Sequence, residues 1–406
     1  MKETKNVPQL RFSGFDDEWE EKKLGEISSK VSKKNTNNSI TETFTNSAEF
    51  GIISQRDFFD HDISNDENID GYFIVENDDF VYNPRISTIA PVGPINRNKL
   101  GRSGVMSPLY YVFRTHDIDK SFLEKYFKSE CWYGFMFLNG NSGARSDRFS
   151  ITDSVFTQMP IRVPRDKLEQ QKIGAFLSYV DSLIQAKTKK LESFKAVKKS
   201  LLQKCFPKVG EKVPQMRFEG FSGDWEESSA TKLFETVSDK GHPELPVLSA
   251  SQELGMIYRD DFKSDIQYNT QNTFGYKRVC PKQFVIHLRS FQGGFAHSKI
   301  EGITSPAYTI LKLCDEKKHD DIFWKYVLTS ESFIKTLETI IYGIRDGKSI
   351  SFDDFSTLVF IYPSSKNEQQ KIGQFFSKYD SLISAQQKEI DKLKDIKKSL
   401  LQKMFI

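Results

Sequence analysis

Histidine and cysteine are scarce in this 406-residue chain, six and four, and none of them stand at metal-ligand spacing. Cys131, Cys205, Cys280 and Cys314 form no C-x-x-C pair, which leaves zinc without a ligand set and suits reduced structural thiols. No run of about 18 apolar residues occurs, so nothing in the sequence is expected to span a bilayer. The opening MKETKNVPQL lacks the apolar stretch of a secretory signal and points to the cytoplasm. Neither charge sign dominates: 58 Lys and Arg face 55 Asp and Glu, a net +3 that neither demands nor forbids a nucleic-acid partner. Catalytic signatures are missing as well. There is no G-x-S-x-G elbow, and Gly343 and Gly347 have three residues between them where a phosphate-binding loop needs four. FQGGFAH (Phe291–His297) lacks the rest of a dinucleotide fingerprint, and YNPR (Tyr82–Arg85) lacks the second proline and the aromatic of an amino-methyltransferase motif. These absences argue against an enzyme in its own right.

What the chain does have is repetition. Glu169–Pro207 and Glu368–Ile406 are identical at 23 of 39 positions, and Val7–Glu21 matches Val213–Glu227 at ten of fifteen. Between these anchors only a thin set of pairs survives, among them Arg85 with Arg289, SPLY (Ser107–Tyr110) with SPAY (Ser305–Tyr308), and Arg145 with Arg345. The order anchor, variable head, long helix therefore occurs twice.

Asp166-x-x-Glu169 and Ser365-x-x-Glu368 are capping-box spacings just after prolines, and apolar residues then recur three and four apart. The pattern predicts two helices of about 38 residues, roughly 55–60 Å each. Lys187 and Gln386 interrupt the two apolar stripes at the same place, as in an imperfect coiled-coil seam. The heads read as α+β. Strands are expected in Tyr72–Asn83, Leu109–Thr115, Gln283–Leu288 and Ala307–Leu313, and a helix in each of Asp119–Phe137 and His319–Ile340. Twin helices in one chain suggest antiparallel pairing about a pseudo-two-fold axis, with a head at either end. The resulting divisions are 1–165, 166–207, 208–363 and 364–406.

Basic and hydrogen-bonding residues fall at matching places in both heads. The first carries Arg85, Arg97, Arg102, Arg145 and Arg148 with Asn83, Asn96 and Asn98; the second carries Arg289, His297, Lys299, Arg345 and Lys348 with Gln292. Such side chains reach base edges or hold phosphates, although any one of them is more often a solvated surface charge. Arg85/Arg289 and Arg145/Arg345, retained in both heads, suit phosphate or the frame better than base reading. The lysines of the first helix, from Lys187 to Lys199, form a solvated face that also suits a partner protein or a phosphate backbone.

In combination, the VPQLRFSGFDDEWE segment before each head, the EQQKIG–F–DSLI helix start and the KKSLLQKCF/KKSLLQKMF ends resemble the specificity subunit of a type I restriction–modification enzyme. The resemblance covers nearly the whole chain. It implies two target-recognition domains separated by two long antiparallel helices, each domain reading one half of a split, asymmetric site in double-stranded DNA. It implies docking of two modification subunits and of restriction subunits. S-adenosylmethionine, ATP and Mg are expected on those partners and none on this chain. Two alternatives stand beside it: a specificity chain for a fused nuclease–methyltransferase, and a coiled-coil scaffold that binds no DNA.

Overall fold

The computed structural model describes residues 6–58, 69–142, 147–208, 210–251, 254–261, 270–287, 294–340 and 352–406. They form two compact units: Met1–Thr188 with Lys388–Ile406, and Lys189–Gln387. The class is α+β, and both units follow one plan. Among the described residues no helix is long and apolar enough to cross a membrane.

In unit 1 the chain runs through β1 (Glu20–Lys23), β2 (Ser28–Lys30), β3 (Phe44–Ser47), β4 (Gly51–Ser54) and α1 (Gln55–Phe58). It continues through β5 (Phe73–Val75), β6 (Phe80–Tyr82), β7 (Ile95–Arg97), β8 (Gly104–Met106) and β9 (Tyr111–Thr115). Then come α2 (Lys120–Tyr126), α3 (Tyr133–Asn139), β10 (Asn141–Ser142), β11 (Phe149–Ser150), α4 (Asp153–Phe156) and β12 (Pro160–Val163). The first long helix is α5 (Lys167–Cys205). An antiparallel sheet has the order β2-β9-β6-β7, and β3·β4, β5·β8 and β1·β12 pair beside it.

Unit 2 repeats this with β13 (Glu226–Ser229), α6 (Ala230–Leu233), β14 (Phe234–Val237), β15 (Leu248–Ser251), β16 (Gly255–Tyr258) and β17 (Lys277–Val279). Next are β18 (Phe284–Ile286), β19 (Phe295–His297), β20 (Gly302–Thr304), β21 (Thr309–Leu313), α7 (Asp321–Leu328) and α8 (Glu331–Ile340). The chain ends with α9 (Phe352–Ser356), β22 (Val359–Tyr362) and the second long helix, α10 (Lys366–Met404). Its sheet order, β14-β21-β18-β19, with β15·β16, β17·β20 and β13·β22, is that of unit 1.

Each head helix is broken where one continuous helix is expected. Ser129 Oγ donates to Tyr126 O at 2.6 Å, and Ser330 Oγ donates to Val327 O at 2.8 Å while accepting from Phe333 N at 3.2 Å. In both heads a serine hydroxyl that competes for backbone groups marks the end of the first helix, and Ser330 also caps the helix that follows it.

The repeated sequence segments form repeated bolts. Asp166 accepts from Leu168 N at 2.8 Å, as an N-cap should. Glu169, three residues on, does not close a capping box. Its carboxylate is buried and accepts two parallel hydrogen bonds from Arg11, at 2.7 and 2.8 Å. Arg217 grips Glu368 in the same way, at 2.7 and 2.9 Å. The next residue ties helix to head: Gln170 accepts from Asp119 N and donates to Pro164 O, and Gln369 accepts from Asp320 N and donates to Pro363 O. A Cβ on Gly174 would stand 2.7 Å from Phe122 N, and one on Gly373 3.0 Å from Phe323 N, so the helix can lie this close only with glycine there. Lys172 covers the ring of Phe15 and Lys371 that of Phe221, both at 4.9 Å.

Within unit 1 the start of α5 lies against the end of α10. Asp181 pairs with Lys397 and Lys187 with Glu389, both at 2.6 Å, so residue numbers rise along one helix as they fall along the other. The two run antiparallel. In unit 2 the equivalent clamp joins Asp380 to Lys198 at 2.5 Å. A head lysine completes each clamp, Lys125 on Asp181 at 2.6 Å and Lys325 on Asp380 at 2.8 Å. The helix ends supply core as well as charge. Leu401, Met404 and Phe405 enter the unit 1 core beside Trp19, Phe122 and Tyr126. Phe206 stacks on Phe323 and Phe376 in unit 2.

Burial alone would push the Asp181 and Asp380 carboxyls up; the lysine hydrogen bonds outweigh it and hold both below the usual range. A carboxyl depressed in the folded state stabilises above its unfolded pKa of about 3.9, and that stability is lost as pH falls through the lower folded value. Asp181→Asn and Asp380→Asn are each expected to cost roughly 1–3 kcal/mol at pH 7 and to flatten the decline of melting temperature below about pH 4. A double variant with the parent's acid limb would remove the clamps from the account. Arg11→Ala strands a buried carboxylate, and thermal or urea unfolding is expected to show a loss of roughly 3–5 kcal/mol.

Candidate nucleic-acid interface

The loop from Asn83 to Pro94 leaves β6 and returns as β7, and its first turn sets the position of an arginine. Asn83 Oδ1 accepts from Arg85 N at 2.9 Å while its Nδ2 donates to Asn46 O at 2.8 Å. Arg85 is thereby presented at the surface, its side chain 68% exposed and its nearest carboxylate, Asp147, 3.9 Å away. Arg148 stands opposite Arg85 in an antiparallel bridge, which Phe149 N to Pro84 O (2.7 Å) and Ile86 N to Asp147 O (3.0 Å) reinforce. Two arginines from distant segments are thus placed opposite one another, through their backbones, at one edge of unit 1. Each offers a planar fork of donors suited to phosphate or to guanine.

The other sequence-stated residues divide between surface and interior. Arg102 is half-exposed, and its fork closes on Glu42 at 2.7 and 2.6 Å, which holds the Glu42 carboxyl below the usual range. Lys299 is exposed in the turn after β19. Arg97, expected at a DNA surface, points inward instead, 2.7 Å from Glu124 and 3.4 Å from Asp78, with its side chain 12% exposed. Burial pushes Glu124 up, but Lys125, Arg97 and Lys99 together hold it below the ordinary range. His297, also expected among DNA-facing residues, is buried and shares a 2.8 Å hydrogen bond with Asp321. Register explains the pairing of these two corrections: Arg97 lies opposite Phe80 and His297 opposite Phe284, so they are the same position in the two units.

The asparagines are frame residues too. Asn96 donates to Asn46 Oδ1 at 2.6 Å and to Ser47 O at 3.0 Å, and Asn98 donates to Glu76 O and Arg102 O. Arg145, Arg289, Gln292, Arg345 and Lys348 lie outside the described residues. A cavity beside Arg148, walled by Lys30, Tyr82, Tyr111, Phe149, Asp153 and Phe156, carries no motif. Its walls come from separate strands and loops, so nothing local in the sequence announces it.

These placements separate charge that holds the fold from charge offered to a ligand. Arg97→Ala is expected to lower the unfolding free energy by roughly 3–5 kcal/mol, because Glu124 loses a buried partner. Arg85→Ala should stay within about 0.5 kcal/mol of the parent. Equal melting temperatures for the two variants would contradict the assignment.

Residues 16–195 match the family model described as type I restriction modification DNA specificity domain. Two solved structures resemble the chain along nearly its full length, each at 14% identity. One is the S subunit of a type I restriction–modification system from M. genitalium, with a TM-score of 0.62, covering 98% of this chain and 99% of that one. The other comes from work on complex assembly and conformational transition of the type I R-M system, with a TM-score of 0.55 and coverage of 97% and 99%. Comparison with curated proteins gives no match.

Proposed function

We propose that the whole chain, whose residues 16–195 match the family model of the type I restriction modification DNA specificity domain, is the specificity subunit of such a system. Each unit reads one half of a bipartite, asymmetric DNA site, and the long helices set the spacing and dock two modification subunits, to which restriction subunits are added. The chain itself catalyses nothing. S-adenosylmethionine, ATP and Mg are carried by the partners, which methylate adenine and cut DNA, and the assembly works in the cytoplasm.

The observation that carries this reading is where retained and divergent residues lie. Residues kept in both copies, such as Arg11, Glu169, Gln170, Gly174, Asp181 and Lys397 with their counterparts, are engaged within the fold. Loop residues around the strand ends differ between units of identical topology. A constant frame with two different edges suits a protein that reads two different half-sites. A scaffold would not need its two edges to differ while its frame is kept.

Affinity in such a system comes largely from phosphate contacts and therefore falls with salt, while base contacts discriminate. The net charge of +3 is small for a duplex clamp, so tight binding is expected with the modification subunits and only weak binding by the chain alone. In a binding titration of the assembled complex at several salt concentrations, Arg85→Ala and Arg148→Ala should each weaken binding and lower the salt slope by about one. Replacing residues of one head by those of a relative should change one half-site and spare the other. A complex whose DNA affinity does not respond to salt would favour the scaffold.

A further inference from the structure

We infer that the cavity beside Arg148 in unit 1 receives one base turned out of the bound duplex. The inference rests on the DNA-reading function proposed above and adds a substrate group to it. The cavity holds about 390 Å³, within the range of small-molecule sites, and it opens between Leu109, Lys30 and Asp153, all exposed. Its floor is aromatic. The ring of Tyr82 stacks on Phe156 at 4.9 Å, and Tyr111 meets Phe156 edge-on at 5.0 Å. Tyr82 is fixed by its hydroxyl, which donates to Val92 O at 2.9 Å, so its ring is a rigid wall. Polar groups stand at the rim: the Lys30 ammonium, paired with Asp153 and 5.3 Å above the Tyr111 ring, and the half-exposed Arg148. An aromatic floor takes the face of a base, and a basic rim takes the phosphates beside it.

The twin unit keeps the ring of Phe156 as Phe355 but shows that the frame does not need the two tyrosines packed on it. Tyr82 faces Tyr111 across β6 and β9; the equivalent pair across β18 and β21 is Ile286 and Thr309. Phe73, bridged to Lys34, corresponds to Lys277, bridged to Lys240. Lys277 donates to Tyr308 O at 2.7 Å. One fold thus carries Tyr82, Tyr111 and Phe73 in one copy and Ile286, Thr309 and Lys277 at the same three positions in the other. The aromatic set belongs to what unit 1 reads.

The test uses the full chain assembled with its modification subunits and a duplex bearing the recognised site. Each base of the first half-site in turn is placed opposite an abasic residue, which removes the pairing that holds it in the stack. At one position other than the methylated adenine, binding is expected to tighten several-fold. Ser150→Trp, which fills the cavity from its exposed rim, should abolish that gain and leave the second half-site's contacts intact. Arg148→Ala is the second variant, since a half-exposed side chain at the rim can be shortened while the backbone bridge to Arg85 is kept, and it should reduce the same gain. If no position outside the methylated adenine gains, or if the gain persists in Ser150→Trp, the base does not enter this cavity, and the specificity role stands without it. A complex that binds no DNA at all would overturn the specificity role and this inference together.

Discussion

A carboxylate buried in the first turn of each long helix is the constraint on which the rest of the unit depends. Glu169 and Glu368 are almost fully covered, and an unpaired charge there would cost far more than the helix gains by docking. Arg11 and Arg217 supply the matching fork, so the segment before each head must return to the helix after it. That return fixes where the helix leaves the head. The glutamine bonds and the close glycine then hold the helix against the first turn of α2 or α7, and the aspartate–lysine clamp decides which part of the other long helix lies beside it. Docking, register and antiparallel direction follow in that order. Hydrophobic burial supplies most of the stability, but it is tolerant of sliding; the paired charges are not.

The two units are an internal control on which interactions are interchangeable. Asn46 and Asn96 form a buried polar pair in unit 1; the same ladder positions in unit 2 are Ala250 and Ala296. Removing one partner of a buried pair is costly, whereas exchanging both for small apolar groups is nearly neutral, and the chain contains both solutions. Arg97 with Glu124 and His297 with Asp321 form a second such exchange, one nitrogen-bearing side chain for another against an acid, from one strand position. None of these changes disturbs the strand order.

Much of the frame was legible in the sequence because periodicity and repetition are local signals. The long helices start and stop close to the expected residues, and strands appear in all four expected stretches. Partner choice was not legible. The spacing of Asp166 and Glu169 suggests a capping box, and only the fold reveals that Arg11 takes the glutamate. Likewise, Arg97 and His297 sit in basic stretches, but strand alternation turns them inward, toward acids contributed by a later helix. Composition marks which residue types are available for DNA; it does not mark the face on which a pleated strand presents them. The cavity residues were missed for a related reason: six wall residues from β2, β6, β9, β11 and α4 become neighbours only after the sheet has formed.

This division has a consequence for how such a protein can vary. The bolts lie at the base of each head, made by residues that recur in both copies, and the edges carry the exposed Lys299, the half-exposed Arg148 and the exposed Arg85, which alone of the three is among the retained pairs. A change at an edge costs little stability and alters what is offered to a ligand. A change at a bolt costs several kcal/mol and alters nothing that is offered. Variation therefore accumulates at the edges whatever the selection for new sites, because the frame filters out changes elsewhere. The aromatic cavity is the instructive exception. It reaches into the sheet itself, yet its twin positions hold Ile286, Thr309 and Lys277 without loss of topology, so even part of the interior is free to follow the ligand.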